Sequence, residues 1–285
     1  MAGTSNEQIQ KLKLKEMYPF KEHPFKVEDD TAMLETAESI RRSGVLVPGI
    51  VRERPEGGYE IVSGHRRHRA CELAKCTTMP VIVRKLDDNE ATIIMVDSNM
   101  HREKLLPSER AFAYKMRHEA MKKKTQKALI NSGEPWKRTD QLLADQTGQS
   151  RAQVQRYIRL THLIPELLEL TDKEKIALSP AVELSFLKMT EQQLLLAAID
   201  YADAMPSLKQ AKSMKELSRL DKLTLERMEK IMIAPQRKQV ESFTLSRDDL
   251  TEYFPSSYTS QQISNVIRGL LNNWKEQHRQ KEQAR

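Results

Sequence analysis

The chain changes from strand to helix within the segment YEIVSGHRRHRA, residues 59–70. Its first residues are typical of a strand, and Ser63-Gly64 then begins a helix. A glycine at such a junction lets the backbone N–H groups of the helix N-terminus approach a ligand closely, and Arg66 and Arg67 add two guanidinium groups. The segment therefore favours a binding site for a phosphate-bearing anion. An arginine-rich surface helix is the alternative.

The elements around this segment alternate between helix and strand. The spacing predicts a helix over residues 31–43 and a β-hairpin whose turn is formed by residues 55–58. A strand over residues 79–83 and a helix that ends near Met100 follow. The first hundred residues are thus expected to form a small mixed α/β domain. Residues 1–17 are polar and lysine-rich, and we expect a flexible arm or a frayed helix there.

The next part of the sequence is rich in helix formers and in positive charge. Of the 285 residues 39% are hydrophobic, and the formal net charge is +7. Residues 101–160 alone carry 14 basic and 6 acidic side chains, a net charge of +8. This concentration favours a module that binds a polyanion, with the solvated lysine face of a helix as the alternative. The expected fold class is α+β, with a mixed α/β domain, an all-α domain and a helical C-terminal region.

Residues 138–161 have the spacing of a DNA-binding helix-turn-helix. Ala144 is a small residue where two helices touch, Gly148 supplies the turn, and Ser150 caps the second helix. At about 100° per residue, the second helix has one apolar and one polar face. The apolar face holds Val154, Tyr157, Ile158 and Thr161, and the polar face holds Arg151, Ala152, Gln155, Arg156 and Arg159. An ordinary helical hairpin with a basic exterior stays open as an alternative.

The candidate DNA contacts fall into two groups. Arginine and glutamine suit guanine and adenine edges in the major groove, whereas lysines outside the second helix suit phosphates. The candidates at the second helix are Gln149, Ser150, Arg151, Gln155, Arg156 and Arg159. The candidate phosphate contacts are Lys122, Lys123, Lys124, Lys137 and Arg138.

Two segments carry a family resemblance. Residues 59–70 look like the GERRxRA box, and residues 97–103, DSNMHRE, are similar to the ENxQRE segment, of ParB-type chromosome and plasmid partition proteins. The likeness continues through the helix-turn-helix to about residue 200. It implies a ParB/sulfiredoxin-like domain at residues 18–105, a helix-turn-helix domain at residues 106–205 and a helical region at residues 206–285. Core packing is the first expectation for this last region, and a dimer interface is the second.

The resemblance also implies a DNA-binding clamp whose N-terminal domain binds CTP and Mg²⁺. The implied nucleotide-binding residues are Gly64, His65, Arg66, Arg67, Asn99 and Arg102. Asn99 would hold the metal together with the nucleotide. The two glutamates that the family associates with hydrolysis are His65 and Ser98 in this chain. His65 is therefore the one candidate catalytic group, and whether CTP is hydrolysed stays open.

Two other functions stay open as well. One is a site-specific transcriptional regulator on the same scaffold, and the other is an enzyme of the ParB/sulfiredoxin fold. In sulfiredoxin a catalytic cysteine precedes a His-Arg pair, but Gly64 has that place here. A zinc site at His65, His68 and Cys71 is not expected, because such sites pair ligands from two segments. Cys71 and Cys76 are expected to be free thiols.

The remaining expectations concern partners and location. The expected partners are double-stranded DNA with a specific site, a second copy of the chain in a homodimer, and a ParA-type ATPase. The sequence has no run of eighteen apolar residues, so no membrane span is expected. Without a targeting segment at its start, the chain is predicted to be cytoplasmic and associated with the nucleoid.

Overall fold

The computed structural model describes residues 8–100, 102, 104–132, 143–144, 148–233, 253–255 and 257–283. The chain divides into two compact units, Met1–Ala234 and Pro235–Arg285. The first unit contains a mixed sheet followed by helices, and the fold class is α+β, as predicted. The domain boundaries expected after residues 17, 105 and 205 stay predictions.

The described part of the first unit contains a five-stranded sheet with the order β1-β5-β3-β4-β2. The strands are β1 (Ile9–Lys13), β2 (Met17–Tyr18), β3 (Gly49–Glu53), β4 (Tyr59–Ser63) and β5 (Thr78–Val83). Strands β3 and β4 form the predicted antiparallel hairpin, whereas β3 runs parallel to β5. The last four residues of β4 are buried, so its end enters the domain interior directly before the Gly64 junction.

Strand β1 lies at one edge of the sheet and pairs antiparallel with β5, with Ile9 opposite Ile82. Residues 9–13 therefore differ from the expected arm or frayed helix. Backbone hydrogen bonds to β5 hold the strand, and Leu12 packs against the core of the domain. Lys11 and Lys13, on either side of Leu12, are exposed. Exposed lysines are common on edge strands because their charge opposes pairing with another chain.

Three helices cover the sheet at the places predicted. They are α1 (Thr31–Ser43), α2 (His65–Leu73) and α3 (Asp88–Met100). Helix α1 is capped by Asp30, whose Oδ1 accepts a hydrogen bond from the backbone N–H of Met33 at 2.7 Å. Met33, Ala37 and Ile40 form the buried face of α1 and pack in one core with Val51 and Ile61 of the sheet.

The helical part of the first unit begins with α4 (Pro107–Ser132). It continues with α5 (Arg151–Leu160), α6 (Pro165–Asp172), α7 (Leu178–Leu184), α8 (Met189–Ala202), α9 (Leu208–Arg219) and α10 (Leu225–Ile233). Met214 of α9 and Met228 of α10 are buried in the same core as Leu184 and Leu195. Helices α9 and α10 thus pack into the same hydrophobic core as the helices that precede residue 205.

Helix α4 packs against both halves of the first unit. Its Ala111 lies in the helical core, whereas its Ala113 packs with Phe20 and Phe25 of the mixed domain. The buried Glu109 accepts a hydrogen bond from the backbone N–H of Lys26 at 2.7 Å. Its other carboxylate oxygen accepts from the backbone N–H of Leu106 at 3.0 Å. One carboxylate therefore fixes the first turn of α4 to the loop that precedes α1.

The described residues of the second unit include α11 (Ser260–Gln283). Its apolar stripe is exposed at Val266, Leu270, Leu271 and Trp274. Across the described parts of both units, no helix combines the length and the apolar character that a membrane span requires.

Candidate functional site

The junction of β4 and α2 forms a cradle of three residues, Gly64, Arg66 and Arg67. Gly64 has φ 108° and ψ 22°, a left-handed conformation that side chains with a Cβ rarely adopt. A Cβ at this position would lie 3.3 Å from Nη2 of Arg67 and 3.3 Å from Cα of Gly49. The missing side chain thus lets a guanidinium group lie beside the backbone N–H groups that begin α2, which suits an anion.

Both arginines of the cradle are positioned by neighbouring loops. Arg67 Nη1 donates hydrogen bonds to the carbonyl oxygens of Val47 and Pro48, at 2.5 and 2.6 Å. Arg66 Nη2 donates to Oδ1 of Asp30 at 3.0 Å. A guanidinium group has five N–H donors, so each arginine retains donors for a further acceptor. An anion in the cradle would compete directly with Asp30.

Arg102 adds a third positive charge near the cradle. Its guanidinium carbon lies 5.5 Å from the centre of the Phe25 ring. Burial lowers the pKa of Arg102, as does the nearby Arg66, while Glu109 opposes this effect. The like charges of Arg102 and Arg66 disfavour each other, and an anion bound between them would relieve that repulsion. Arg66 of α2 and Arg102 after α3 thus contribute positive charge to the same region.

Asn99 lies one helical turn before Arg102, and the backbone N–H of Arg102 donates to the Asn99 carbonyl oxygen at 3.2 Å. The Asn99 side chain is buried, and its Nδ2 donates to the carbonyl oxygen of Met95 at 2.8 Å and to Ser98 Oγ at 3.3 Å. These bonds leave Oδ1 as the atom for a cation. Mg²⁺ usually takes few protein ligands and keeps phosphate oxygens and water, so a single amide oxygen fits it.

His65 does not have the environment of a general base. Its Nε2 accepts a hydrogen bond from the backbone N–H of Phe20 at 3.2 Å, so the proton of the neutral ring is on Nδ1. Burial, with a smaller effect of the neighbouring His23, lowers the pKa of His65 to about 3. A base needs a free lone pair and a pKa near the working pH, and His65 has neither. The geometry argues against the one catalytic candidate.

Sequence reasoning did not find His23, Phe25 and Asp30, which complete the surroundings of the cradle. His23 stacks on His65, with 3.8 Å between the ring centroids. Residues 23 and 25 lie in a loop that has no periodicity, so no pattern marks them. Asp30 did carry a signal, because an aspartate before a helix predicts an N-cap and therefore a fixed carboxylate.

Cys71 lies on the same helix as the cradle arginines, one turn after Arg67. Cys71 is buried, and burial raises the pKa of its thiol to about 11. Cys71 and Cys76 are free thiols. Within the part of the chain that the structure describes, no cluster of three His, Cys, Asp or Glu side chains could hold a metal ion.

The turn around Gly148 and the cap at Ser150 have the geometry that the sequence predicts. Gly148 has φ 65°, and the backbone N–H of Gln149 donates to the Ala144 carbonyl oxygen at 3.1 Å. Ser150 caps α5, and its Oγ accepts from the backbone N–H of Gln153 at 3.2 Å. Lys137, Arg138 and all of the predicted first helix except Leu143 and Ala144 lie outside the described residues.

Helix α5 has the two predicted faces. Val154 is buried in a cluster with Tyr114 of α4, Leu143 and Ala144. Tyr157 and Ile158 pack against the same cluster. On the opposite side, Arg151, Ala152 and Gln155 are exposed. The exposed side presents the first turn and a half of α5 to solvent.

Two of the predicted DNA contacts, Arg156 and Arg159, bind residues of their own chain. Arg156 Nη2 donates to Ser179 Oγ at 2.6 Å. Arg159 Nη2 donates to the carbonyl oxygen of Ser185 at 2.7 Å, and its guanidinium carbon lies 4.0 Å from the centre of the Phe186 ring. Both arginines thus connect α5 to α7 and to the residues after it. Their side chains are half-buried, whereas those of Arg151 and Gln155 are exposed.

Comparison with known proteins agrees with this architecture. The ParB N-terminal domain family matches residues 2–100. The probable chromosome 1-partitioning protein ParB of Deinococcus radiodurans is 36% identical over 180 residues, 63% of this chain and 56% of that protein. The nucleoid occlusion protein of Listeria monocytogenes is 31% identical over 192 residues, 67% of this chain and 62% of that protein. The chromosome-partitioning protein Spo0J of Thermus thermophilus is 31% identical over 209 residues, 73% of this chain and 70% of that protein. The chain belongs to the ParB family.

The ParB N-terminal domain match contains the whole cradle and Asn99, and it ends two residues before Arg102. The chain spans 56% and 62% of the length of the Deinococcus and Listeria relatives. Residues 59–70 and 97–103, which carry the resemblance in the sequence, thus lie within or directly at the end of the matched ParB domain.

Proposed function

We propose that this ParB-family protein binds a specific site on double-stranded DNA through its helix-turn-helix and binds CTP with Mg²⁺ in its N-terminal domain. Its role would be the partition of a bacterial chromosome, plasmid or integrated element. The observation that carries the proposal is the cradle of Gly64, Arg66 and Arg67, in one compact unit with the exposed face of α5. One side of that unit suits a polyphosphate, and α5 suits a DNA groove.

The residues of the cradle would hold the triphosphate. Arg66 and Arg67 would donate from their guanidinium groups, and the backbone N–H groups at the start of α2 would add further donors. Asn99 Oδ1 would bind Mg²⁺, and Arg102 would balance the remaining negative charge. The metal would neutralise charge between the phosphates. Base selection is expected from loops around the cradle.

We propose that CTP hydrolysis by this protein is slow or absent. Attack of water on the γ-phosphate needs a group that orients or deprotonates the water. The positions of the family's two glutamates hold His65 and Ser98. His65 has its Nε2 occupied by the Phe20 N–H, and Ser98 Oγ donates to the carbonyl oxygen of Met95 at 2.9 Å.

A titration calorimetry experiment tests the nucleotide site. CTP, ATP, GTP and UTP are titrated into the full chain with Mg²⁺, and only CTP is expected to bind tightly. Arg66→Gln is expected to weaken binding at least tenfold. Arg69→Gln is the matched control, because Arg69 lies on the same helix but pairs with Asp29. The absence of CTP binding by the wild type would refute the nucleotide proposal.

The width of the DNA footprint separates partition from its alternatives. The similar relatives include both partition proteins and a nucleoid occlusion protein, so a site-bound regulator of nucleoid function is the second candidate. Chromatin immunoprecipitation followed by sequencing would give a signal spread over kilobases for a partition protein and a signal confined to the binding site for a regulator. The homodimer and the ParA-type ATPase are part of the partition proposal.

A further inference from the structure

His23 and His65 form a stacked pair beside the cradle. Their ring centroids are 3.8 Å apart, with 37° between the ring planes. His65 Nε2 accepts from the backbone N–H of Phe20, and His23 Nδ1 lies 2.8 Å from the carbonyl oxygen of Phe25. Because a carbonyl oxygen can only accept, His23 carries its proton on Nδ1 and has a lone pair on Nε2.

This lone pair distinguishes His23 from the other two histidines of the region. His23 Nε2 is buried and has no hydrogen-bond partner among the residues that the structure describes. In contrast, His65 Nε2 is bonded to Phe20, and His68 Nε2 lies 3.2 Å from the Leu14 carbonyl oxygen. A buried polar atom without a partner is costly, so it points to a partner that binds in the working state.

The charges that face His23 come from three elements. Burial is the main cause of the lowered pKa of His23, and the hydrogen bond to the Phe25 carbonyl opposes it. Arg102, after α3, lowers the pKa further, whereas Glu109 on α4 raises it. His65 on α2 is neutral, and Arg102 in turn faces Arg66. His23 is thus a neutral ring beside positive charge. A bound polyphosphate would make the net charge around His23 negative.

We propose that binding of a nucleoside triphosphate in the cradle transfers a proton from solvent to His23 Nε2, and that the resulting imidazolium binds the phosphates. The inference rests on the proposed function, which supplies the ligand. No covalent bond to the ligand forms, and the Nδ1–H group keeps its bond to Phe25. His65 does not take the proton, because that would break its bond to the Phe20 N–H. Since negative charge favours the protonated ring, affinity rises as the pH falls.

Calorimetry in several buffers tests the proposal. A non-hydrolysable CTP analogue with Mg²⁺ is titrated into the full chain at one pH between 7 and 8, in buffers with different enthalpies of ionisation. The slope of the binding enthalpy against the ionisation enthalpy gives the number of protons taken up. The wild type is expected to take up more protons than His23→Gln, which is expected to bind about three- to tenfold more weakly. His68→Gln is the matched control and is expected to keep the wild-type proton count.

Nitrogen NMR of the wild type needs no variant and gives an independent readout. Chain labelled with ¹⁵N-histidine is expected to show the His23 Nε2 signal move from the unprotonated to the protonated range when the analogue is added. Equal proton counts in wild type and His23→Gln, with binding retained, would overturn the inference and leave the nucleotide site intact. The absence of any binding to the wild type would overturn both.

Discussion

Asp30 accepts a hydrogen bond from Arg66 through Oδ1, at 3.0 Å, and the same oxygen caps helix α1. Arg66 holds the pKa of the Asp30 carboxyl below its ordinary range, and the bond from the backbone N–H of Met33 adds to this effect. A carboxylate of the protein itself thus binds one of the cradle arginines. It follows that the negative charge of Asp30 opposes the binding of a polyphosphate.

Replacing Asp30 by asparagine is expected to strengthen binding of CTP several-fold. Asparagine caps a helix about as well as aspartate, so α1 should remain intact while the competing charge is lost. Calorimetry with CTP and Mg²⁺ measures the change. Asp29→Asn is the control, because Asp29 pairs with Arg69 outside the cradle. Equal affinities of wild type and Asp30→Asn would show that Arg66 does not contact the ligand.

Gly64→Ala is expected to lower the free energy of unfolding by about 1–2 kcal/mol, since alanine is strained at a positive φ. The new Cβ would also contact the Arg67 guanidinium group and close the cradle. CTP binding should therefore fall more than tenfold. Urea unfolding and calorimetry measure the two effects. Gly44→Ala is a useful control, because Gly44 also has a positive φ but has open space where the Cβ would lie.

The stability of the protein is expected to fall as the pH falls from about 6.5 towards 3, because burial lowers the pKa of His65 to about 3. The unfolded chain binds a proton at His65 in this range and the folded chain does not, so acid favours unfolding. The contribution is at most about 1.4 kcal/mol per pH unit. Urea unfolding at several pH values measures it. His65→Gln, which can still accept from Phe20, is expected to have a flatter profile, and an unchanged slope would contradict the assignment.

Arg159→Ala and Arg151→Ala are expected to impair DNA binding in different ways. Arg159 joins α5 to Ser185, so its loss should lower the melting temperature and weaken binding to all DNA sequences alike. Arg151 is exposed at the first position of α5, where a base contact is proposed, so its loss should cost about 1–3 kcal/mol on the specific site and have little effect on scrambled DNA. Thermal unfolding and fluorescence anisotropy with specific and scrambled DNA test both. The same pattern in the two variants would show that Arg159 also reads bases.

The sequence predicted the fold well where periodicity or turn chemistry carries the information. The hairpin of β3 and β4, the Gly64 junction and the Ser150 cap all follow from local residue preferences. Strand β1 was missed because an edge strand is specified by the partner whose hydrogen bonds it completes, and a lysine-rich segment has no pattern of its own. The packing of α9 and α10 with α8 depends on long-range contacts in the same way.

The candidate site was predictable in its residue types but not in its contacts. Motif matching named Gly64 and Arg66, yet it could not show that Asp30 already binds Arg66. Helical periodicity placed Arg159 on the polar face of α5, but Ser185, directly after α7, holds it there. The position of a side chain on a helix is a local property, whereas its hydrogen-bond partner is a tertiary one.

The bond between Glu109 and Lys26 has a mechanical consequence. It fixes the first turn of α4, and Met121, twelve residues further along this helix, packs against the cluster that contains Tyr114 and Val154. At 1.5 Å per residue the two positions lie about 18 Å apart, so a tilt of about 5° at Glu109 moves Met121 by roughly 1.6 Å. Helix α4 thus connects the domain that contains the cradle to the residues that pack against Val154 of α5. A change in the angle of α4 at the loop before α1 would therefore displace the residues that support α5.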